Sequence, residues 1–322
     1  MSSPIEGGSD EPLMMIGEVH TGLVLSSRAL AAEQARTLLD FVPGQPVRVH
    51  ERPVGRCVSA DVLHGVDCPV HAGSGARTRG IGTLAARARV VGGRVLQGSA
   101  RAVLVPGGRR RLDWGHYLER PGVIEVAARG GDGELPARFL DGAGPGALDP
   151  GAVAARLMAR VQANALLDLT PAFRARRTRL RWAVTLGAGR FHGGFTLTDA
   201  EGRRLLLALP ALPGVGPGEI AALCEDVALH DWLLGTVIAV VDRAAAGGPG
   251  AAGTRRLRPA VDHLVHLWMP GAAVVPELVG VWERLETRPG FTRQWEACVS
   301  RIRDQLALRT LELLAAVPVA DG

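Results

Sequence analysis

Two alternating runs joined by a glycine pair set the first constraint on this chain. In RGIGTLAARARVVGGRVLQGSARAVLVP, residues 79–106, Leu84, Ala86, Ala88 and Val90 share one face while Ala85, Arg87 and Arg89 share the other. Gly92-Gly93 can supply the positive φ angles of a tight turn, so the stretch predicts a β-hairpin. Shorter β signals surround it. Val47 and Val49 alternate with Arg48 and His50, Val58–Leu63 reads as a short strand or turn, and Gly122–Val126 follows as another strand. Strands return at Thr178–Leu186, His192–Leu197 and Arg203–Leu209, most simply as a meander.

Helical periodicity takes over elsewhere. Ser26–Asp40 predicts a short amphipathic helix capped by Ser26 or Ser27, and Asp149-Pro150 opens another that runs to about Asn164. From Pro217, the residues Ile220, Leu223, Val227, His230, Leu234, Val237 and Val241 recur at spacings of three and four, a single seam. A second helix starts near Leu257 with a seam through Val261, Leu264 and Trp268, and Pro270-Gly271 ends it. A third spans Val274–Leu285 and a last one runs from Thr292 to about Ala316. The expected fold class is α+β: a mostly antiparallel β layer with flanking helices over 13–210, then an antiparallel helical bundle over 215–317. Residues 1–12 read as a disordered tail, and the Gly/Pro/Asp-rich stretch 128–150 as the best linker.

Composition narrows the chemistry. All 37 basic residues are arginine, because the sequence holds no lysine. That excludes the standard forms of P-loop NTPases, pyridoxal-phosphate enzymes and protein kinases, each of which needs a specific lysine. A net charge of +5 over 322 residues is a mild excess, which argues against a nucleic-acid partner. Cys57, Cys68, Cys224 and Cys298 are scattered without metal-ligand spacing, and Cys224 and Cys298 read as reduced core thiols. No stretch approaches the ~18 uninterrupted apolar residues of a membrane span, and no export signal is visible at the N-terminus. A cytoplasmic protein without a membrane association is expected.

Three groups of residues could carry chemistry. In CEDVALHD and VDHLVH, Asp226 and His230 are four apart, as are Asp262 and His266, with Glu225, Asp231 and His263 beside them. Carboxylates and histidines on facing bundle helices can hold a divalent metal or act as acid and base. The competing reading is structural pairing, with Glu225 and Asp231 solvated, and the absence of ExxH and HExxH spacing favours it. The second group is Trp114, His116 and Tyr117 after a basic run, either a ligand-contacting loop or a plug at the end of the β layer. The third is RARRTRLRW at 174–182: extended, it lines up Arg177, Arg179 and Arg181, a ladder suited to phosphate or carboxylate groups or simply a solvated strand face. Gly80-Ile81-Gly82-Thr83-Leu84-Ala85 matches GxGxxA but enters a hairpin rather than a strand–helix turn, so no dinucleotide site is expected.

The strings VDCPVHAGSGARTRGIGTLAARA, WGHYLERPGVIE, ALCEDVALHDWLL, RPAVDHLVHLWMPG and RPGFTRQWEACVSRIRDQLALRTL resemble an uncharacterised actinobacterial family of Streptomyces type. The likeness spans about Gly17 to Leu314. It implies a protein encoded in a conserved gene cluster beside a variant P-loop protein and a SAM-dependent methyltransferase, and it supplies no catalytic or binding residues. The leading expectation is therefore a non-enzymatic interaction or assembly component whose partners are other products of that cluster. The alternative is a metal-assisted hydrolase or lyase using the Asp/His residues. No cofactor is expected, a divalent metal entering only through that alternative.

Overall fold

The computed structural model describes residues 14–71, 77–108, 110–126, 135–142, 144, 146–246 and 251–315; the expected N-terminal tail lies outside them. Within these residues ten strands form one mixed sheet with helices on both faces, an α+β architecture. The central strand is β1 (Met14–Leu23), antiparallel to β6 (Val95–Pro106) on one side and to β8 (Thr178–Thr185) on the other. Both faces of β1 are covered, so it is buried almost continuously and shows no clean apolar/polar alternation, with Glu18, His20 and Thr21 among its residues.

The expected hairpin forms as β5 (Arg77–Val91) and β6, and Gly92 and Gly93 both take positive φ in its turn. Beyond the paired region the two arms part. Into the gap slots β7 (Val123–Val126), antiparallel to Gly80–Gly82 and parallel to Val103–Pro106. Gly82 permits this approach: its φ is +153°, and a Cβ there would sit 2.1 Å from the Val123 carbonyl oxygen. On the far edge of β5 lie β4 (Val62–His71) and the short pair β2 (Arg48–His50) and β3 (Arg56–Val58).

The meander expected over 178–209 is corrected. β10 (Gly202–Ala208) lies between β8 and β9 (His192–Leu197), parallel to the first and antiparallel to the second. The buried side chains Leu205 and Leu207 suit the inner position, whereas the Gly-rich β9 tolerates the edge.

On one face sit α1 (Ala32–Leu39), α3 (Leu135–Asp141) and α4 (Pro150–Gln162), packed over Ile16, Leu84, Ala86, Ala88 and Leu104. α1 is shorter than predicted, because Ser26 and Ser27 do not cap it; their hydroxyls donate to Arg28 O and Asp168. α3 lies within the stretch expected to be a linker and buries Leu135, Phe139 and Leu140.

The opposite face carries α5 (Pro217–Ala246), around which α6 (Ala251–His263), α7 (Pro276–Thr287) and α8 (Phe291–Ala315) gather. Every residue from Leu223 to Leu234 is buried, since α5 is enclosed by the sheet on one side and helices on the other. The seam read from the sequence is one face of a helix that has no solvent face along these turns. Among the described residues no helix is long and apolar enough to cross a membrane.

Gly82→Ala should lower stability by about 2–4 kcal/mol in urea unfolding, as the added methyl collides with β7 backbone. Gly55→Ala, where nothing lies within 4 Å, should change it by less than about 0.5 kcal/mol.

Candidate functional site

Burying α5 forces its polar residues to find partners, and each does so differently. Glu225, expected to be solvated, is 1% exposed and points at the sheet. Arg87 grips it with both ends of its guanidinium, Nε to Oε1 at 2.7 Å and Nη2 to Oε2 at 2.8 Å. Arg89 donates to Oε2 at 3.2 Å and the Ser99 hydroxyl to Oε1 at 2.5 Å. Gln97 adds a bond to the Glu225 backbone oxygen at 2.9 Å and one to Thr21. Burial raises the carboxyl's pKa, but the attraction of Arg87 and Arg89 and these hydrogen bonds outweigh it and hold the group at about 2.

Asp226 and His230 lie on another side of the same helix. Asp226 Oδ2 accepts from Gly271 N at 2.9 Å, tying the loop after α6 to α5. His230 Nδ1 lies 2.8 Å from the Asp226 backbone oxygen, and its ring meets Trp268 and Trp282 edge-on at 5.0 and 5.4 Å. Asp231, also expected to be solvated, is buried and accepts from Arg203 Nε at 2.8 Å. Burial pushes its carboxyl up to about 6 against the pull of Arg203.

The second half of the expected Asp/His site does not join the first. α6 ends at His263 and a 3-10 turn covers Val265–Leu267, so Asp262 and His266 are not one turn apart on a single helix. Both are exposed, Asp262 paired with Arg258 at 2.9 Å. His263 stacks on Phe173 at 6.0 Å, and burial followed by repulsion from Arg94 lowers its pKa. Among the described residues no group of three or more His, Cys, Asp or Glu side chains could hold a metal ion.

The Trp114–Tyr117 segment is a five-residue helix, α2 (Trp114–Leu118), rather than a loop. Tyr117 is buried and its hydroxyl accepts from Leu112 N. His116 pairs with Glu125 of β7 at 2.6 Å, and Arg120 joins the same carboxylate. The group fastens the insertion of β7 to the sheet.

The arginine-rich run divides between the two sheet faces. Arg177, Arg179 and Arg181 point toward α3 and α4. Arg177 lies across Gly22, while Arg179 and Arg181 line a concavity of about 380 Å³ together with Arg203, Arg204 and Thr198. Carboxylates fill this pocket too. Arg181 meets Glu18 at 2.7 Å and Asp149 at 3.3 Å, Arg179 meets Asp199 at 3.4 Å, and Arg204 meets Asp141 at 2.9 Å. Glu18 is buried and also bonds His20; burial raises its pKa, but that bond and Arg181 leave it lowered. Two members of the expected anion-binding ladder, Arg179 and Arg181, are thus neutralised within the chain, whereas the exposed Arg177 has no carboxylate partner among the described residues. Glu18 and His20 escaped the sequence reading because β1 was not recognised as a strand, although their i, i+2 spacing is the available signal.

The other two arginines of the run, Arg174 and Arg176, lie along a groove beside α5 that the sequence reading did not identify. One stretch, about 740 Å³, is lined by Arg174, Arg176, Arg203, Thr236 and Arg243 over a floor that includes Trp232. A second, about 530 Å³, shares Arg174 and Arg243 and adds Phe173, Val240, Arg256 and Pro259. Arg203 is held by Asp231. Arg174, Arg176, Arg243 and Arg256 have no carboxylate partner among the described residues, and no acidic side chain lines either stretch there. Arg243 Nη2 donates instead to Arg174 O at 3.3 Å and Arg256 Nη1 to Arg243 O at 3.1 Å, while the Trp232 indole N–H holds Arg176 O at 2.8 Å.

Glu225→Gln should cost about 3–5 kcal/mol in urea unfolding at pH 7, because Arg87 and Arg89 lose their buried counter-charge. The pH profile should carry two opposed contributions. Glu225 titrates at about 2 folded against 4.5 in its ordinary state, so its stabilisation, about 3 kcal/mol, is complete above pH 4.5 and vanishes as pH falls toward 2. Asp231 runs the other way: the unfolded chain releases its proton near 3.8 and the folded one near 6, so stability falls as pH rises through that window. Asp231→Asn should flatten that fall in the same unfolding series.

Comparisons with protein-family models, with curated proteins and with solved structures find no match.

Proposed function

We propose that this protein is a non-enzymatic interaction and assembly component, working with the other products of a conserved actinobacterial gene cluster. One observation carries the reading. Arg87, Arg89, Glu225, Asp231 and Glu18 in the interior, and the arginines lining the sheet-face pocket, meet an opposite charge, whereas Arg174, Arg176, Arg243 and Arg256 gather along one groove with no carboxylate among the described residues. A set of like charges converging on a concave surface suits an anionic group brought by another molecule.

The remaining polar groups support the same reading. Glu225, Asp226, Asp231 and Glu18 are each engaged in joining elements of the fold, which leaves them holding structure rather than presenting an acid and a base to a common point. Cys224 is enclosed and burial drives its thiol pKa well up, so it does not act as a nucleophile. At the end of α8, Leu308, Leu311 and Leu314 are 61–64% exposed, more apolar surface than a free helix end needs.

Tagged full-length protein, co-expressed with the neighbouring gene products, should retain one of them at low salt and release it as ionic strength rises. Arg174→Glu combined with Arg176→Glu should abolish retention. Elution of the tagged chain alone at low salt would refute the interaction reading, and undiminished retention by the double variant would overturn the groove as its contact.

A further inference from the structure

The groove has a second property besides its charge, and the two together describe an occupant. Toward Arg176 the accessible surface is a mixture of guanidinium and small side chains, with Gly235, Thr236 and Ala239 presenting α5 as a smooth wall. Toward Arg256 it becomes apolar, formed by Phe173, Val240 and Pro259. We infer that this groove binds an acidic peptide segment of a partner protein, its carboxylates on Arg174, Arg176 and Arg243 and an aliphatic side chain in the Phe173–Val240–Pro259 end. The inference rests on the interaction reading above and names the chemistry of its partner.

Guanidinium groups also recognise phosphate, so a nucleic-acid strand is the competitor. The groove lacks what such a strand requires. Single-stranded nucleic acids are held by aromatic platforms on which bases stack, in addition to charge. Here Trp232 is buried, with its indole N–H already bonded to Arg176 O. One face of Phe173 is covered by the parallel ring of His263, inclined at 2°, which leaves one partly exposed ring in place of a series of stacking platforms. The chain's net charge of +5 gives little long-range attraction for a polyanion, whereas four local arginines match a short run of carboxylates. An apolar end has no role in gripping a phosphate backbone, but it offers a seat for the hydrophobic anchor of a peptide.

The geometry is prepared in advance. The Arg243 guanidinium donates to the Arg174 carbonyl and the Arg256 guanidinium to the Arg243 carbonyl, so the irregular segment leading into β8, α5 and α6 are laced together by the same residues that present the charge. All four side chains are exposed, but Arg174 and Arg176 donate no hydrogen bond to described residues, so replacing them leaves the fold's own contacts intact.

Fluorescence anisotropy of the full chain with a labelled peptide of repeating Glu-Asp-Leu, about fifteen residues long, tests the assignment directly. Wild type should bind it, and Arg174→Glu with Arg176→Glu should weaken binding by at least about tenfold at an unchanged melting temperature. Replacing each Leu of the peptide by Ala should weaken binding severalfold, and a Lys-for-acid peptide should not bind. If oligothymidylate of the same length binds more tightly than the peptide and the double variant loses it, the groove is an anion site but the peptide assignment is wrong. Equal peptide affinity for wild type and double variant would place the acidic partner elsewhere and overturn the inference, while the co-purification result would still decide the interaction reading on its own.

Discussion

The buried carboxylate of Glu225 fixes what the rest of this structure can be. A helix enclosed on all sides has no amphipathic stripe to set its rotation, and apolar contacts alone would tolerate several settings of α5 against the sheet. The carboxylate tolerates one. It must meet Arg87 and Arg89 on β5 and Ser99 on β6 together, because leaving any charge in this group unpaired inside the protein costs several kcal/mol. With Glu225 set, the ~100° step between successive helical residues directs Asp226 toward Gly271 and turns Asp231 toward Arg203. The tryptophan cluster around His230 and the placement of α6 to α8 follow from that rotation. So does the groove, whose floor is Trp232, one residue past Asp231.

The elements packed opposite do for the arginines what the helical period does for α5. In 174–182, Arg179 and Arg181 face α3 and α4, where β1 and the adjoining loops place Glu18, Asp149 and Asp199 opposite them. Arg174 and Arg176 face α5, where the helix offers Gly235, Thr236 and Ala239 instead of acids. One sequence run therefore builds a neutral pocket on one side of the sheet and an arginine groove on the other. Nothing in the run distinguishes the two sets; the difference lies in what the opposing elements contribute.

That distinction explains how much was legible in the sequence. Local periodicity recovered the hairpin at Gly92-Gly93, the faces of β5 and the seam of α5, since each depends on residues a few positions apart. β1 was missed because a central strand covered on both faces loses its alternation. The order β8–β10–β9 depends on a parallel pairing that no turn signal encodes. For the site, the sequence singled out the arginine run but not which face would stay unpaired. Glu225 and Arg87 are 138 positions apart, and neither carries a local mark of its partner. The Asp226/His230 and Asp262/His266 pairs looked equivalent at i, i+4, yet the break after His263 sends the second pair to the surface.

The same physics separates the arginines that hold the fold from those left for another molecule. Arg87 and Arg89 are buried, so their counter-charge has to come from within the chain. Arg174, Arg176, Arg243 and Arg256 remain in contact with water, which solvates them well enough that folding demands no carboxylate. Folding also gives no reason for them to converge, because like charges in one concavity repel. Backbone carbonyls accept from two of them and hold the guanidiniums in place, without neutralising the charge. A groove kept in that condition is organised ahead of its ligand, and the ordering cost that flexible arginines would otherwise incur on binding is already met in part by the fold.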